Sequence, residues 1–190
     1  MIRKVKMPPE LVLPTDFETL VTMMCSVDSP RPVFLLDGGS GAGKSRLSGL
    51  LMPRLKERFP GIELLALDSF YQGWDGVYEA ARHLVDGILT SPNPGYRTWD
   101  WHENEPGEWV SLHPGVPLLV EGCGAITRRS VELADLSIWL ERPEEDRKRL
   151  ALARDGDTFA PWWDRWAANE RKLREKNPPS QLADVKVMFS

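Results

Sequence analysis

The chain has 190 residues, 42% of them hydrophobic, enough for one good core and too few for two comfortable ones, so a single domain over 1–190 is expected. Its 24 basic and 28 acidic residues leave a net charge of −4, which removes general attraction to nucleic acid or an anionic membrane surface; any anion must be held by a local set of donors. Cys25 and Cys123 show neither metal-knuckle spacing nor a disulfide framework, and no apolar run approaches the roughly 18 residues of a membrane span, so a reducing, cytoplasmic setting is expected.

Arg3, Lys4 and Lys6 precede Pro8, Pro9, Glu10, Pro14 and Asp16, which break the stretch before an apolar run of leader length. Residues 1–30 read as a proline-punctuated arm and a helix. Thr15 or Asp16 caps that helix, with Phe17, Leu20, Val21 and Met24 at helical spacing as far as residue 26. Val33-Phe34-Leu35-Leu36 is a short buried strand. A glycine-rich loop follows, then a helix over 44–59 with Leu47, Leu50, Leu51 and Leu55 on one face. A second strand over 62–67 ends at Asp68, and 78–89 is helical. Residues 91–117, rich in Pro, Gly, Trp and charge without a sustained period, read as a long acceptor-side loop. A buried strand over 117–120 ends at Glu121-Gly122. A short helix over 126–133, a strand over 136–140, helices over 143–154 and 162–176, and a last strand over 185–189 complete the order. Short apolar strands alternating with amphipathic helices predict an α/β fold, a mostly parallel sheet with helices on both faces.

The loop reads Gly38-Gly39-Ser40-Gly41-Ala42-Gly43-Lys44-Ser45-Arg46. Gly38, Gly43, Lys44 and Ser45 satisfy G-x-x-x-x-G-K-[ST] in the required order of strand, loop and helix, which predicts the three-layer P-loop NTPase fold. In such a loop, backbone N–H groups converge on phosphate oxygens, the lysine reaches the β- and γ-phosphates, and the serine holds Mg²⁺. ATP and Mg²⁺ are therefore the expected cofactors. The competing reading is a glycine-rich turn whose lysine merely starts a helix. The sequence contains no N-K-x-D guanine-reading segment and no L-S-G-G-Q-like signature, so a kinase is favoured over a switch or a transporter ATPase. Asp68, at the carboxyl end of its strand, faces the crevice where ligands bind in open α/β sheets. A carboxylate there can accept a hydroxyl proton or help hold the metal; its plain alternative is a cap or a solvated turn residue.

"DGGSGAGKS" with "LDSFY" and "LLVEG" resembles the uridine kinase and phosphoribulokinase-like group of P-loop kinases, over roughly residues 33 to 155. The resemblance implies that Asp68 is the catalytic base, that Glu121 is a magnesium-side acid beside Ser45 and Asp68, and that Tyr71 lies on the acceptor side. "FYQGWDG", "YRTWDWHEN", "VEGCG" and "LARDGD" resemble short bacterial proteins described as uridine kinase-like or ATP-binding, which implies the fold and ATP use. In the resembled kinases an arginine-bearing lid closes over the transferred phosphoryl group, and "RLALARD" is similar to its end. Residues 143–176 then form lid and C-terminal helices, with Arg149 and Arg154 stabilising charge; guanidinium forks match phosphate oxygens. Arg147, Ala151 and Arg154 share a helical face, with Arg147 evenly balanced between the two roles. The alternative for this segment is a solvated helix carrying Glu144–Lys148 and Glu145–Arg149 pairs.

Of eight tryptophans, Trp74, Trp99, Trp101 and Trp109 fall where an acceptor pocket is expected and could stack a heterocycle, or else pack under the loop. Trp162 and Trp166 read as packing. The resembled uridine kinases carry Tyr-Asp-x-x-x-His for sugar and base; "YRTWDWHEN" departs from that spacing. Tyr96, Arg97, Asp100 and His102 are the candidate acceptor groups, Arg97 suited to an anion and Asp100 to ribose hydroxyls. His83, His102 and His113 lack partners at metal-ligand spacing, so protein-bound zinc is not expected. The expected activity is transfer of the γ-phosphoryl of Mg-ATP to a hydroxyl of a small molecule, a nucleoside or ribose-like compound. A nucleotide-binding regulatory protein without transfer activity, and a nucleoside monophosphate or other metabolite kinase, are the alternatives. The partner is the small-molecule acceptor, with neither nucleic acid nor membrane; homo-oligomerisation is left open.

Overall fold

The computed structural model describes residues 8–189. Arg3, Lys4 and Lys6 lie outside the described residues. In chain order the elements are β1 (Glu10–Leu13), α1 (Phe17–Cys25), β2 (Val33–Gly38), α2 (Lys44–Arg58), β3 (Glu63–Ala66), α3 (Val77–His83), β4 (Gly95–Asp100) and β5 (Glu105–Ser111). There follow β6 (Leu118–Glu121), β7 (Leu136–Glu141), α4 (Glu144–Asp155), α5 (Trp163–Lys176), α6 (Pro179–Leu182) and β8 (Val185–Phe189).

Six strands form one parallel sheet in the order β1-β8-β7-β2-β6-β3. β2 and β6 are buried along their whole length, as their unbroken apolar runs require of strands covered on both faces. One face packs Leu20 and Met24 of α1 and Leu47, Leu51 and Leu55 of α2. The other packs Val77 of α3 and Trp163, Trp166 and Leu173 of α5. Each fully buried leucine in these layers contributes about 1.5–3 kcal/mol relative to exposure. Pairing sets Glu121 beside Leu36 on one side and Ala66 on the other, so the carboxyl ends of β2, β6 and β3 reach one edge together.

The arm expected before the first helix contains β1, an edge strand added to β8. Leu11-Val12-Leu13, between Pro9 and Pro14, is too short a run to announce itself without its partner. Residues 91–117 contain an antiparallel hairpin, β4 and β5, with an irregularity between Arg97 and Trp99. Neither face of β5 is deeply buried, so no period of two is imposed on its sequence. The helix expected over 126–133 reduces to a 3₁₀ turn, Ser130–Glu132, and that over 78–89 passes into a π-helical turn at Leu84–Leu89. Leu50, expected on the buried face of its helix, is exposed. Cys25 and Cys123 are free thiols. Among the described residues no helix is long and apolar enough to cross a membrane.

Candidate active site

β2 delivers its chain into a loop that turns back at Gly41 (φ +79°) and Gly43 (φ +101°), left-handed conformations that glycine adopts without strain. A Cβ on Gly41 would collide with the Arg147 carbonyl. At the start of α2 the N–H groups of Gly43, Lys44, Ser45 and Arg46 have no acceptor among the described residues, an arrangement suited to an anion at a helix N-terminus. Lys44 is buried, its Nζ donating to Gly38 O at 2.9 Å and Gly39 O at 3.2 Å. Burial disfavours its charge, but the neighbouring acids, Cys123 first and then Glu121, Glu170 and Asp37, outweigh that cost and raise its pKa. The ammonium group thus stays charged beside the loop.

Asp37 roots the loop. Its carboxylate accepts N–H groups from Gly38 at 2.6 Å, Gly124 at 3.2 Å and Ile126 at 2.9 Å. Burial nonetheless pushes the carboxyl up to about 6. Ser45 Oγ donates to Glu121 Oε1 at 2.8 Å, and burial raises the Glu121 pKa against the pull of Lys44. No group of three or more His, Cys, Asp or Glu side chains forms a metal cage among the described residues. One hydroxyl and one carboxylate beside a phosphate loop fit Mg²⁺, which takes few protein oxygens and completes its shell with phosphate and water.

Glu170 of α5 is buried against the loop and accepts the Ser40 N–H at 2.8 Å and the Trp166 Nε1–H at 2.8 Å. It is paired with Arg174, and Arg147 approaches at 3.7 Å while donating to Ser40 O at 3.1 Å. Burial opposes ionisation, but Arg174 foremost, with Lys44, holds the Glu170 carboxyl below its ordinary value.

Along the carboxyl edge of the sheet lies a cleft of about 1140 Å³. Two solved structures share this fold. A Bacillus stearothermophilus protein, named provisionally as a uridine kinase, superposes with a TM-score of 0.67 at 18% identity, over 94% of this chain and 99% of its own. A Silicibacter protein, named provisionally as a fructose transport system kinase, superposes at 0.56 and 19% identity, over 90% of this chain and 98% of its own. No protein-family model and no curated protein matches the chain. At these identities the likeness is one of fold.

Of the residues singled out from sequence, Ser40, Gly41, Gly43, Lys44, Ser45 and Arg46 line the cleft. Asp68, Tyr71, His102, Glu121 and Arg154 line it as well. Asp68 sits on the 3₁₀ turn Leu67–Ser69 directly after β3, and Trp101 Nε1 donates to its carbonyl at 3.1 Å. Tyr71 is buried, its hydroxyl donating to Cys123 O at 2.9 Å. Arg154 donates to both carboxylate oxygens of Asp155, at 2.7 and 2.6 Å.

Gly38, Gly39 and Ala42 lie in the loop behind that lining. Four expected residues stand elsewhere. Arg149 points to Asp146 at 3.1 Å with its side chain 69% exposed, so its place one step around α4 keeps it off the cleft. Arg97 donates to Gly107 O across the hairpin, Tyr96 packs 4.8 Å from Phe70, and Asp100 accepts the N–H groups of His102 and Glu103 in its own turn.

Arg147 takes the loop contact instead, being the buried arginine of α4. Asp37 and Glu170 escaped notice. Asp37 reads as a strand end, and Glu170 lies in a run of charges, Asn169-Glu170-Arg171-Lys172, indistinguishable from a solvated face. Arg142 at the end of β7 also lines the cleft, its guanidinium 4.6 Å over the Phe189 ring and its Nε without a hydrogen-bond partner.

Proposed function

We propose that the chain is an ATP-dependent phosphotransferase that moves the γ-phosphoryl group of Mg·ATP to a hydroxyl of a small molecule. One observation carries this reading: unpartnered loop amides and the charged Lys44 share a single cleft with the strand-end carboxylate Asp68. Phosphoryl transfer asks mainly for positioning and charge stabilisation, which such a cleft supplies.

The loop amides and Lys44 hold the β- and γ-phosphate oxygens. Ser45 and Glu121 would hold Mg²⁺, whose contribution is to neutralise charge between the phosphates. Asp68 accepts the proton of the attacking hydroxyl as the new oxygen–phosphorus bond forms and the bond to the β-phosphate oxygen breaks, leaving ADP. Arg154, within the electrostatic reach of both Asp68 and Glu121, balances the charge spread over the equatorial oxygens. Free thiols at Cys25 and Cys123 are in keeping with a reducing, cytoplasmic setting.

The test is ADP release by the purified chain against a panel of nucleosides, sugars and their derivatives, with Asp68→Asn beside it. Acceptor-dependent release is expected, and the variant should retain Mg·ADP binding while turnover falls by about 10²–10⁴, the usual contribution of a positioned base. An Asp68→Asn protein with full turnover would remove that carboxylate from the chemistry.

A further inference from the structure

We propose that the acceptor is an alcohol bearing neither phosphate nor carboxylate, so that the enzyme performs the first phosphorylation of its metabolite. This rests on the phosphotransfer reading above and goes beyond it by fixing the charge class of the substrate.

The sheet order gives the cleft two ends. Where β2 passes into α2 and on its β7 side, the lining carries Lys44, Arg46 and Arg142, while Glu121 of β6 stands on the other side of β2. That end suits a polyphosphate. Towards β3, the ionisable lining includes Asp68, Tyr71 and His102 beside Glu121, and the stacking of Phe159 on Trp74 together with the attraction between Arg154 and Asp68 brings Arg154, Asp155 and Asp157 to the same end. Arg154 is bound in a fork to Asp155, and the His102 ring lies 2.7 Å from Glu103. Among the described residues Asp157 forms no ion pair, and Asp68 has only the longer-range attraction of Arg154, whose hydrogen bonds go to Asp155. Arg97, the arginine that the sequence offered for an anionic acceptor, donates to Gly107 O across the hairpin and does not line the cleft.

The rest of that end is aromatic. Trp74 stacks on Phe159 at 5.2 Å and on Trp162 at 5.7 Å, with Trp101 tilted against it at 4.7 Å. Ring faces carry negative potential, so they reinforce the carboxylates in repelling anions while accepting an apolar, CH-rich or cationic surface. An anionic acceptor would be desolvated against carboxylates and ring faces where, among the described residues, the one arginine of that end, Arg154, is already shared with Asp155 and the phosphoryl group, so its burial is costly.

The same field acts on the product. Once phosphorylated, the metabolite carries the charge that this end of the cleft rejects, which favours its departure and prevents its return as an acceptor. The reaction supplying the substrate therefore delivers an unphosphorylated alcohol, by uptake, glycoside cleavage or phosphate hydrolysis, and the reaction consuming the product acts on a phosphate ester.

The field can be read without knowing the acceptor. Trp101 and Trp162 are exposed by 39% and 37% on the cleft; Trp109, exposed by 51%, lies off it on the hairpin and is removed by Trp109→Phe. In that background, quenching of tryptophan fluorescence by Cs⁺ should exceed quenching by I⁻ several-fold, after normalisation to the free amino acid and to acrylamide. Asp157→Lys should shrink the ratio at least twofold. Equal quenching by the two ions, or greater quenching by I⁻, overturns the proposal.

Matched acceptor pairs supply the second arm: nucleosides against their monophosphates, and sugars and amino sugars against sugar phosphates. ADP release should favour the unphosphorylated member at least tenfold, and release confined to phosphorylated members overturns the proposal. A clear Cs⁺ preference with no ADP release from any pair upholds the anion-rejecting cleft and sinks the transfer reading instead.

Discussion

Asp37 is a buried acid whose three amide donors come from two segments, Gly38 in the phosphate loop and Gly124 and Ile126 after β6, so one side chain ties the loop to the neighbouring strand. Burial lifts its carboxyl from 3.8 to about 6. The folded chain therefore keeps a proton that the unfolded chain releases, and the stability it brings is complete below about pH 4 and lost as the pH rises to about 6. The loss is of order 3 kcal/mol. Asp37→Asn removes the titration and also forfeits an acceptor, at a cost of about 1–3 kcal/mol. The gap in melting temperature between wild type and variant should thus be widest at about pH 4 and below and narrow towards pH 7. Glu121, raised by burial too, leaves a slope of the same sign in both proteins. Calorimetry across that range reads the gap, and a constant difference at every pH would show that Asp37 does not titrate there.

At the scale of elements, α5 straps the aromatic wall to the phosphate loop. Trp166 and Glu170, one turn apart, are hydrogen-bonded to each other; Trp166 lies 4.9 Å from Tyr71 on the cleft, and Glu170 holds the Ser40 amide. Glu170→Ala strips the shared acid from Arg147 and Arg174, and an uncompensated buried charge costs about 3–5 kcal/mol. A chain of this size melts about 2–4 °C lower per kcal/mol, so a drop of roughly 10 °C is expected. Glu170→Gln, which keeps an acceptor for Ser40, should fall less. A shift of only a degree or two for the alanine variant would mean that the strap bears no strain. None of this was legible in sequence, because a helix reports which face is apolar and not which buried acid crosses to another segment. The glycine loop and its flanking strand and helix were legible as local structure, since their glycines and apolar runs answer to local geometry alone. β1 and the hairpin were not: one is defined by its neighbour β8 and the other by pairing without deep burial, and neither leaves a period in the chain. The same limit misplaced Arg149, whose sequence context is as basic as that of Arg147 but whose side chain faces solvent.

Across the whole molecule, the parallel sheet brings the loop of β2, the acid of β6 and the turn after β3 to one edge, and α4 and α5 cover that edge from above. A ligand bound there touches segments more than a hundred residues apart, so its binding free energy is also folding free energy. At a hundredfold excess over its dissociation constant, a nucleotide should stabilise the native chain by about 2.7 kcal/mol, which is roughly 5–10 °C in melting temperature. On the proposed function, Lys44→Ala should remove most of that increment, because the ammonium proposed to meet the phosphates is gone. The variant should also melt lower without nucleotide, since Lys44 offsets the buried Glu121, Glu170 and Asp37 and satisfies the Gly38 and Gly39 carbonyls. The informative quantity is therefore the increment on adding Mg·ADP and not the absolute melting point. A Lys44→Ala protein that gains as many degrees as the wild type would show that the phosphates bind away from this loop, and the sheet edge would lose its claim to the chemistry.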